Sequence, residues 1–244
     1  MQWEAEALVL SAQPHGESSA IVDVFSRQYG RFSGLVRGGN SRRQRPVLQP
    51  GNMVVAHWRA RLSEHLGTMT VDAGRAHAAE AMSQPLLLAG LSSLCALLQV
   101  TAERQAYPRL YETTQIVLAG MDETELWLAL LARFELALLE EIGFGLDLSA
   151  CAATGQVEDL THVSPRSGRA VSREAAQPYI DKMFALPQFL LDPAAEAEVS
   201  DIRHAFELSG HFLERRVYLP NNLKMPPARQ RLMDMLARQA PNLA

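Results

Sequence analysis

The sequence predicts an α+β protein: a small five-stranded β-barrel first, then a mainly α-helical domain with a small irregular hairpin insert. Three observations predict it. Short alternating apolar runs, separated by glycine-rich turns, fill residues 1 to about 75. From Ala76 onward the apolar residues recur at three- and four-residue spacing. The charge balance reverses sign near residue 80, where the periodicity changes. Together these set a first domain at 1–78 and a second at 79–244.

The strands follow in order. Leu8, Val9 and Leu10 form an apolar run that enters a turn at Gln13-Pro14-His15-Gly16-Glu17. Residues 20–25 are the second strand. Gln28-Tyr29-Gly30 turns the chain into the third, residues 31–37. A loop opens at Gly38-Gly39-Asn40 and holds Arg42, Arg43 and Arg45. Residues 53–61 are the fourth strand and 67–72 the fifth. In the fourth, Val54, Ala56, Trp58 and Ala60 share one face, opposite Val55, His57, Arg59 and Arg61. In the third, Phe32, Gly34 and Val36 oppose Arg31, Ser33, Leu35 and Arg37. Alternation therefore stands Arg31, Arg37, Arg59 and Arg61 outward over an apolar interior. Five such strands suit an OB-type barrel; an SH3-like barrel fits nearly as well on pattern alone. Tyr29 and Phe32 are candidate stacking aromatics, with core packing the other reading.

The helical part begins with Leu86, Leu87, Leu91, Leu94 and Leu98 behind Pro85. A second helix is expected over 108–120. A third, from about 122 to Gly143, is apolar around most of its circumference and belongs at the centre of a bundle. Arg133 is the odd residue in it, a side chain reaching the rim or pairing with an acid such as Glu140. Residues 143–172 read as a small irregular hairpin. Helices are expected again over 175–184, 194–216 and 227–238, with Pro220 and Pro226-Pro227 as breaks.

Charge carries the functional signal. Residues 27–61 hold eight arginines (Arg27, Arg31, Arg37, Arg42, Arg43, Arg45, Arg59 and Arg61) and no acid, although the 244-residue chain is formally −4. Such a set repels itself unless an anion shares it, and the commonest long anion is a nucleic-acid backbone. The competing reading is a solvated, arginine-rich surface. If about five of these residues meet a single strand, the log–log salt slope of binding is near −3.5.

Other classes are disfavoured. The 48% apolar content is ordinary for a globular protein. Cys95 and Cys151 form no framework and suit a reducing compartment. The first residues lack the pattern of a signal peptide. The most apolar run, 126–142, is interrupted by Arg133, Glu135, Glu140 and Glu141, so no membrane partner is expected. The chain reads as cytoplasmic. Phosphate-loop, His-Glu-x-x-His and Gly-x-Ser-x-Gly motifs are all missing, so no catalytic residue is assigned and the chain does not read as an enzyme. His204 and His211, seven apart, read as packing or surface residues rather than a metal pair.

The chain also resembles a known family. The segments that carry this are Ala7-Leu8-Val9-Leu10, His15-Gly16-Glu17-Ser18, Tyr29-Gly30-Arg31 and Leu35-Val36-Arg37-Gly38-Gly39. They continue with Arg133-Phe134-Glu135-Leu136-Ala137-Leu138-Leu139, Gly143-Phe144-Gly145-Leu146-Asp147-Leu148 and Cys151-Ala152-Ala153-Thr154-Gly155. Ser164-Pro165-Arg166-Ser167-Gly168-Arg169-Ala170-Val171 and Pro226-Pro227-Ala228-Arg229 complete the set. In this order, over nearly the whole length, they are similar to RecO, the family of bacterial DNA-repair and recombination mediators, its alphaproteobacterial branch above all.

The resemblance implies an OB domain that binds single- and double-stranded DNA and anneals complementary strands. It implies RecR and the acidic C-terminal tail of the single-strand-binding protein SSB as partners, RecA as an indirect one, and association with the nucleoid. For the SSB tail, Arg133 is the candidate cation, with nearby Leu and Phe residues as the pocket. Some relatives carry a zinc finger between the helices. Here Cys151 is followed by Thr154, no later cysteine exists, and His162 alone cannot complete four ligands, so the segment at about 145–172 reads as a remnant without metal or cofactor. A protein-only adaptor that never touches DNA is the alternative function.

Overall fold

Five strands close on themselves: β1 (Gln2–His15), β2 (Ser19–Ser26), β3 (Gly30–Val36), β4 (Met53–Arg59) and β5 (Thr68–Ala73). The structure, a computed structural model, describes residues 1–62, 64–192 and 194–239. Helices α1 (His77–Ala81), α2 (Pro85–Leu98), α3 (Pro108–Ala119) and α4 (Thr124–Glu141) follow. Then come β6 (Leu160–Val163), β7 (Ala170–Ser172), α5 (Arg173–Ala176), β8 (Phe184–Ala185), α6 (Val199–Phe212) and α7 (Pro227–Gln239). The chain forms two compact units, Met1–Leu118 with Pro226–Arg229, and Ala119–Met225 with the residues from Gln230 onward.

In the first unit the barrel order is β1-β2-β3-β5-β4. β3 and β5 run parallel, in register at Leu35 and Thr68, while every other pair is antiparallel. That parallel closure is the OB arrangement and decides against an SH3-like barrel. β1 is longer than expected, a continuous 14-residue strand. Its first half pairs with β4, from Gln2 against Arg59 to Leu8 against Met53; its second half pairs with β2 as far as His15 against Ser19. The register shifts between Val9 and Ser11, a bulge that bends the strand so both partners share it. The turn expected from Gln13 therefore shrinks to Gly16, Glu17 and Ser18. Pro14 lies within the strand, at its exposed end, where a missing N–H is tolerated.

The alternation expected for the barrel is seen. Val9, Val22, Val24, Phe32, Val36, Val54, Ala56, Trp58, Met69 and Val71 fill the interior. Gly34 lets the wall close, since a Cβ there would lie 2.8 Å from the Cβ of Met69. Leu48, from the β3–β4 connection, completes the core. That connection is not an irregular loop but a run of turns, with Arg45 N–H donating to Ser41 C=O and Leu48 N–H to Gln44 C=O, both at 3.0 Å. Asn52 pins it: Nδ2 donates to the carbonyls of Pro46 (2.8 Å) and Val47 (3.3 Å), and Oδ1 accepts the N–H of Ala78 (3.0 Å). α2 covers the outer side of β1, where Leu8 and Leu10 are buried and the Cys95 thiol points at the Val9 carbonyl. Each leucine so buried contributes about 1.5–3 kcal/mol.

Residues 101–107, between α2 and α3, lie across the start of β3. The N–H of Arg104 donates to the carbonyl of Arg31 at 2.7 Å. Gly30 has φ +65°, and a Cβ on it would fall 1.7 Å from the Gln105 carbonyl oxygen. Only glycine permits both the conformation and the approach.

In the second unit α4 packs against α6, and Ser209 Oγ donates to the buried Glu135 carboxylate at 2.5 Å. Trp127, Leu131, Phe134, Leu138 and Leu139 are fully buried, as the all-round apolar pattern predicts. Gly143, at φ +87°, ends the helix: its N–H donates to Glu140 C=O and that of Phe144 to Leu139 C=O. The expected hairpin is present as β6 and β7, and β8 adds a third strand in the order β7-β6-β8. The helix expected over 175–184 is instead the four-residue α5, a 3₁₀ turn at Gln177–Lys182 and β8. Pro178 lacks the N–H needed to continue the helix. The helix expected over 194–216 begins later, at Val199, and from Leu213 to Tyr218 continues as a π-helical turn.

Gly30→Ala tests the docking of residues 101–107. Strained backbone together with a main-chain clash should cost at least about 2 kcal/mol in urea unfolding. An unchanged midpoint would show that these residues do not seat against β3.

Candidate nucleic-acid interface

Barrel register brings one end of β4 to the closing seam. Arg59 lies between Gln2 of β1 and Thr68 of β5, and Thr68 lies against Leu35 of β3. Arg59 and Thr68 line two adjoining hollows. Gln2, Trp3, His57 and Thr70 border one; Arg61 and His65 border the other. Charge grades along β4. Val55 has Glu6 and Asp72 opposite it. His57 sits between carboxylates, 3.2 Å from Glu4 and 2.9 Å from Asp72. Arg59 has only neutral neighbours in register. Positive potential on this face is thus confined to the Arg59 end, a limit set by acids on β1 and β5.

The eight arginines divide into two groups. Arg27 is exposed and grips Glu112 on α3, with Nη2 at 2.7 Å and Nε at 3.1 Å; such exposed pairs are worth up to about 1 kcal/mol. Arg31 points outward, but Nε donates to the Thr101 carbonyl at 3.1 Å beneath the segment that crosses β3. The other six, Arg37, Arg42, Arg43, Arg45, Arg59 and Arg61, are exposed and make no side-chain hydrogen bond or ion pair among the described residues. They lie on the β3–β4 connection, the end of β3 and the seam. On the outer face of β2 the charged group is an acid: Asp23 accepts hydrogen bonds there from Ser11, at 3.0 Å, and from Ser33.

The aromatic candidates are packed on one another. Trp3 stacks on Tyr29 (4.7 Å between centroids) and on Trp58 (6.0 Å), and Phe32 meets Trp3 and Trp58 edge-on. Phe32 is core, and Tyr29 is half-buried. Trp3, the centre of the group, was missed. Its alternation with Ala5, Ala7 and Val9 was the available signal.

In the second unit, Leu126, Leu130 and Arg133 form one stripe of α4 at i, i+4 and i+7. With Phe189 and the Ala194–Ala197 segment they border a groove, and Leu126 is 51% exposed in it. Arg133 does not pair with Glu140. Its Nε donates to the Phe189 carbonyl at 3.0 Å, and Nη2 donates to the same carbonyl and to that of Asp192. Nη1 makes no hydrogen bond among the described residues.

Among the described residues no three His, Cys, Asp or Glu side chains converge as metal ligands. Cys151 is buried, and its sulfur accepts hydrogen bonds from the N–H and hydroxyl of Ser172 at 3.3 and 3.4 Å. Burial disfavours the thiolate, but hydrogen bonds from Ser172 and Thr154 outweigh it and hold the thiol at about 6. His162 is held below its ordinary range by burial and then by the charge of Arg173. His211 lies 3.1 Å from the Pro165 carbonyl and packs on Phe184. No described helix is long and apolar enough to cross a membrane.

Comparison with known proteins now bears on this geometry. The family model "Recombination protein O N terminal" matches residues 1–73, and "Recombination protein O C terminal" matches 82–225. The chain is similar to DNA repair protein RecO of Mesorhizobium japonicum, 49% identical over 230 residues, covering 94% of this chain and 91% of that protein. It is 46% identical to the protein of that name from Rhodospirillum centenum, over 96% of this chain and 94% of that one. For Bartonella quintana the identity is 45%, over 98% and 99%.

The Cys151 environment sets a pH dependence. A thiol at about 6 when folded and 9.0 when free gives up its proton on folding between those values. Stability from this group is therefore full above 9, grows between 6 and 9, and is lost as pH falls through 6. The urea midpoint of the wild-type chain should rise across that window relative to Cys151→Ala; a constant difference would contradict it.

Proposed function

The chain belongs to the RecO family, and on that premise we propose that it serves DNA repair and recombination by binding DNA through its barrel. The observation that carries this is the set of six unengaged arginines on the seam and the β3–β4 connection. Among the described residues none of the six makes a side-chain hydrogen bond or ion pair. Phosphates neutralised by guanidinium groups release condensed counterions, which supplies sequence-independent affinity. With Trp3, Tyr29, Phe32 and Trp58 packed on one another, the contact is to backbone rather than to stacked bases. Backbone contact serves single and double strands alike and tolerates any sequence, as annealing of complementary strands requires. In this reading the chain works without catalysis, and together with RecR it helps load RecA onto SSB-coated single strands.

The groove beside Arg133 is the proposed seat of the SSB tail. An acidic peptide ending in an apolar residue needs an apolar trough next to a cation. Leu126 and Leu130 supply the first, over the buried Phe189, in a groove that Glu123 and Glu196 also border. Arg133, balanced by carbonyl dipoles and with Nη1 making no hydrogen bond among the described residues, supplies the second.

A salt titration of single-strand binding tests the DNA reading. Six contacts give a log–log slope of about −4, and Arg42→Ala/Arg43→Ala/Arg45→Ala should flatten it by about 2. Full binding by that variant would move the site off the β3–β4 connection. No binding at low salt would favour a protein-only adaptor. For the tail, Arg133→Ala with an intact fold should abolish binding of an SSB C-terminal peptide; unchanged binding would remove Arg133 from the site.

A further inference from the structure

Arg104 is not among the arginines that sequence charge singles out, yet its backbone and side chain together tie residues 101–107 to β3 and to the β4–β5 connection. Its N–H holds β3 through the Arg31 carbonyl at 2.7 Å. Its Nη2 donates to two successive carbonyls of the β4–β5 connection, Glu64 at 3.2 Å and His65 at 3.1 Å. Its guanidinium lies over the Phe32 ring, 5.1 Å from the centroid. The residue adopts φ +64°, a left-handed conformation rare for a side chain of this size. Its Nε is buried without a hydrogen bond among the described residues. An unfavourable backbone and a desolvated donor persist only where the surrounding contacts outweigh them.

Those contacts fix the segment that carries Arg61. The foot of the β4–β5 connection is tied to the barrel by Trp58 Nε1 donating to Leu66 C=O at 2.9 Å and by Leu35 N–H donating to Gly67 C=O at 3.1 Å. Arg104 holds the crest. We propose that Arg104 is a positioning residue for DNA: it fixes the β4–β5 connection so that Arg61 meets a phosphate, without touching DNA itself. The proposal rests on the DNA reading above. A guanidinium suits the task because it presents several donors in one rigid plane and stays charged; a lysine has neither the fork nor the flat face for Phe32.

A double-mutant cycle on single-strand binding tests it, with Arg61→Ala, Arg104→Ala and the pair. One phosphate contact at 0.1 M salt is worth about fivefold in affinity. Each single variant should lose about that factor, and the pair no more than either alone, because both remove one contact. Amide exchange at Leu62, Glu64 and His65 should quicken in Arg104→Ala and stay as in wild type in Arg61→Ala. Losses that multiply in the pair, near 25-fold by the same relation, would make Arg104 a direct phosphate contact and overturn the proposal. So would wild-type affinity in Arg104→Ala. If Arg104→Ala does not fold by circular dichroism, Arg104→Lys takes its place in the cycle with the same expectations, since charge alone cannot replace the fork. Absence of wild-type binding at low salt would overturn the DNA reading and this inference with it. Binding by wild type with a multiplying cycle would overturn this inference alone.

Discussion

The barrel hangs on the parallel contact of β3 with β5 at Leu35 and Thr68. Hairpins or the shared first strand supply every other pairing, but here two strands meet with no short connection between them. The hydrogen bonds involved are worth about 1 kcal/mol each. Their value lies in what they seal, because Phe32, Trp58 and Met69 lie on the inner side of this seam. An open seam would wet all three, at about 2 kcal/mol apiece. Gly34 is part of the same constraint. Once the seam is shut, Arg59 must lie beside Thr68, and the β4–β5 connection must run back along β3.

A second regularity concerns arginine. Among the described residues, Arg27, Arg75, Arg169, Arg173 and Arg203 pair with carboxylates, but another set of guanidinium groups fastens the structure through main-chain carbonyls. Arg31 holds Thr101; Arg104 holds Glu64 and His65; Arg133 holds Phe189 and Asp192. Arg216 donates to Phe144 at 3.1 Å and Ser167 at 2.7 Å, bracing the hairpin segment over the Phe212 ring. A carbonyl partner leaves the formal charge uncancelled, so each fastening residue still adds to the positive field around it.

Much of this could be read from sequence because it is local. Alternation in β4 separated Trp58 from Arg59, and the all-round apolar pattern of α4 announced a buried helix. A stretch with eight arginines and no acid can be read by eye. What could not be read depends on register between distant segments. Nothing near Arg27 announces Glu112, and nothing near His57 announces Glu4 and Asp72. The pairing of Arg31 with residues 101–107 follows only once Gly30 is seen as the point of approach. Trp3 was legible in principle but stands among acids, Glu4 and Glu6, that mask its inward phase. The helix expected over 175–184 stops at Ala176 because Pro178 follows, a local signal that stands in the sequence.

β1 is one strand with two partners that the ribosome supplies at different times. Its second half meets β2 across a three-residue turn, so β1, β2 and β3 can form a meander as soon as they leave the ribosome. Its first half must wait for β4, which is made later, and Trp3 finds Trp58 only after the β3–β4 connection is in place. Until then half of the first strand is an open edge, exposed to pairing with any other unfinished chain. The bulge at Leu10 separates a half that pairs with the next strand from a half that pairs with a strand made much later, so the barrel is completed by joining an early segment to a late one.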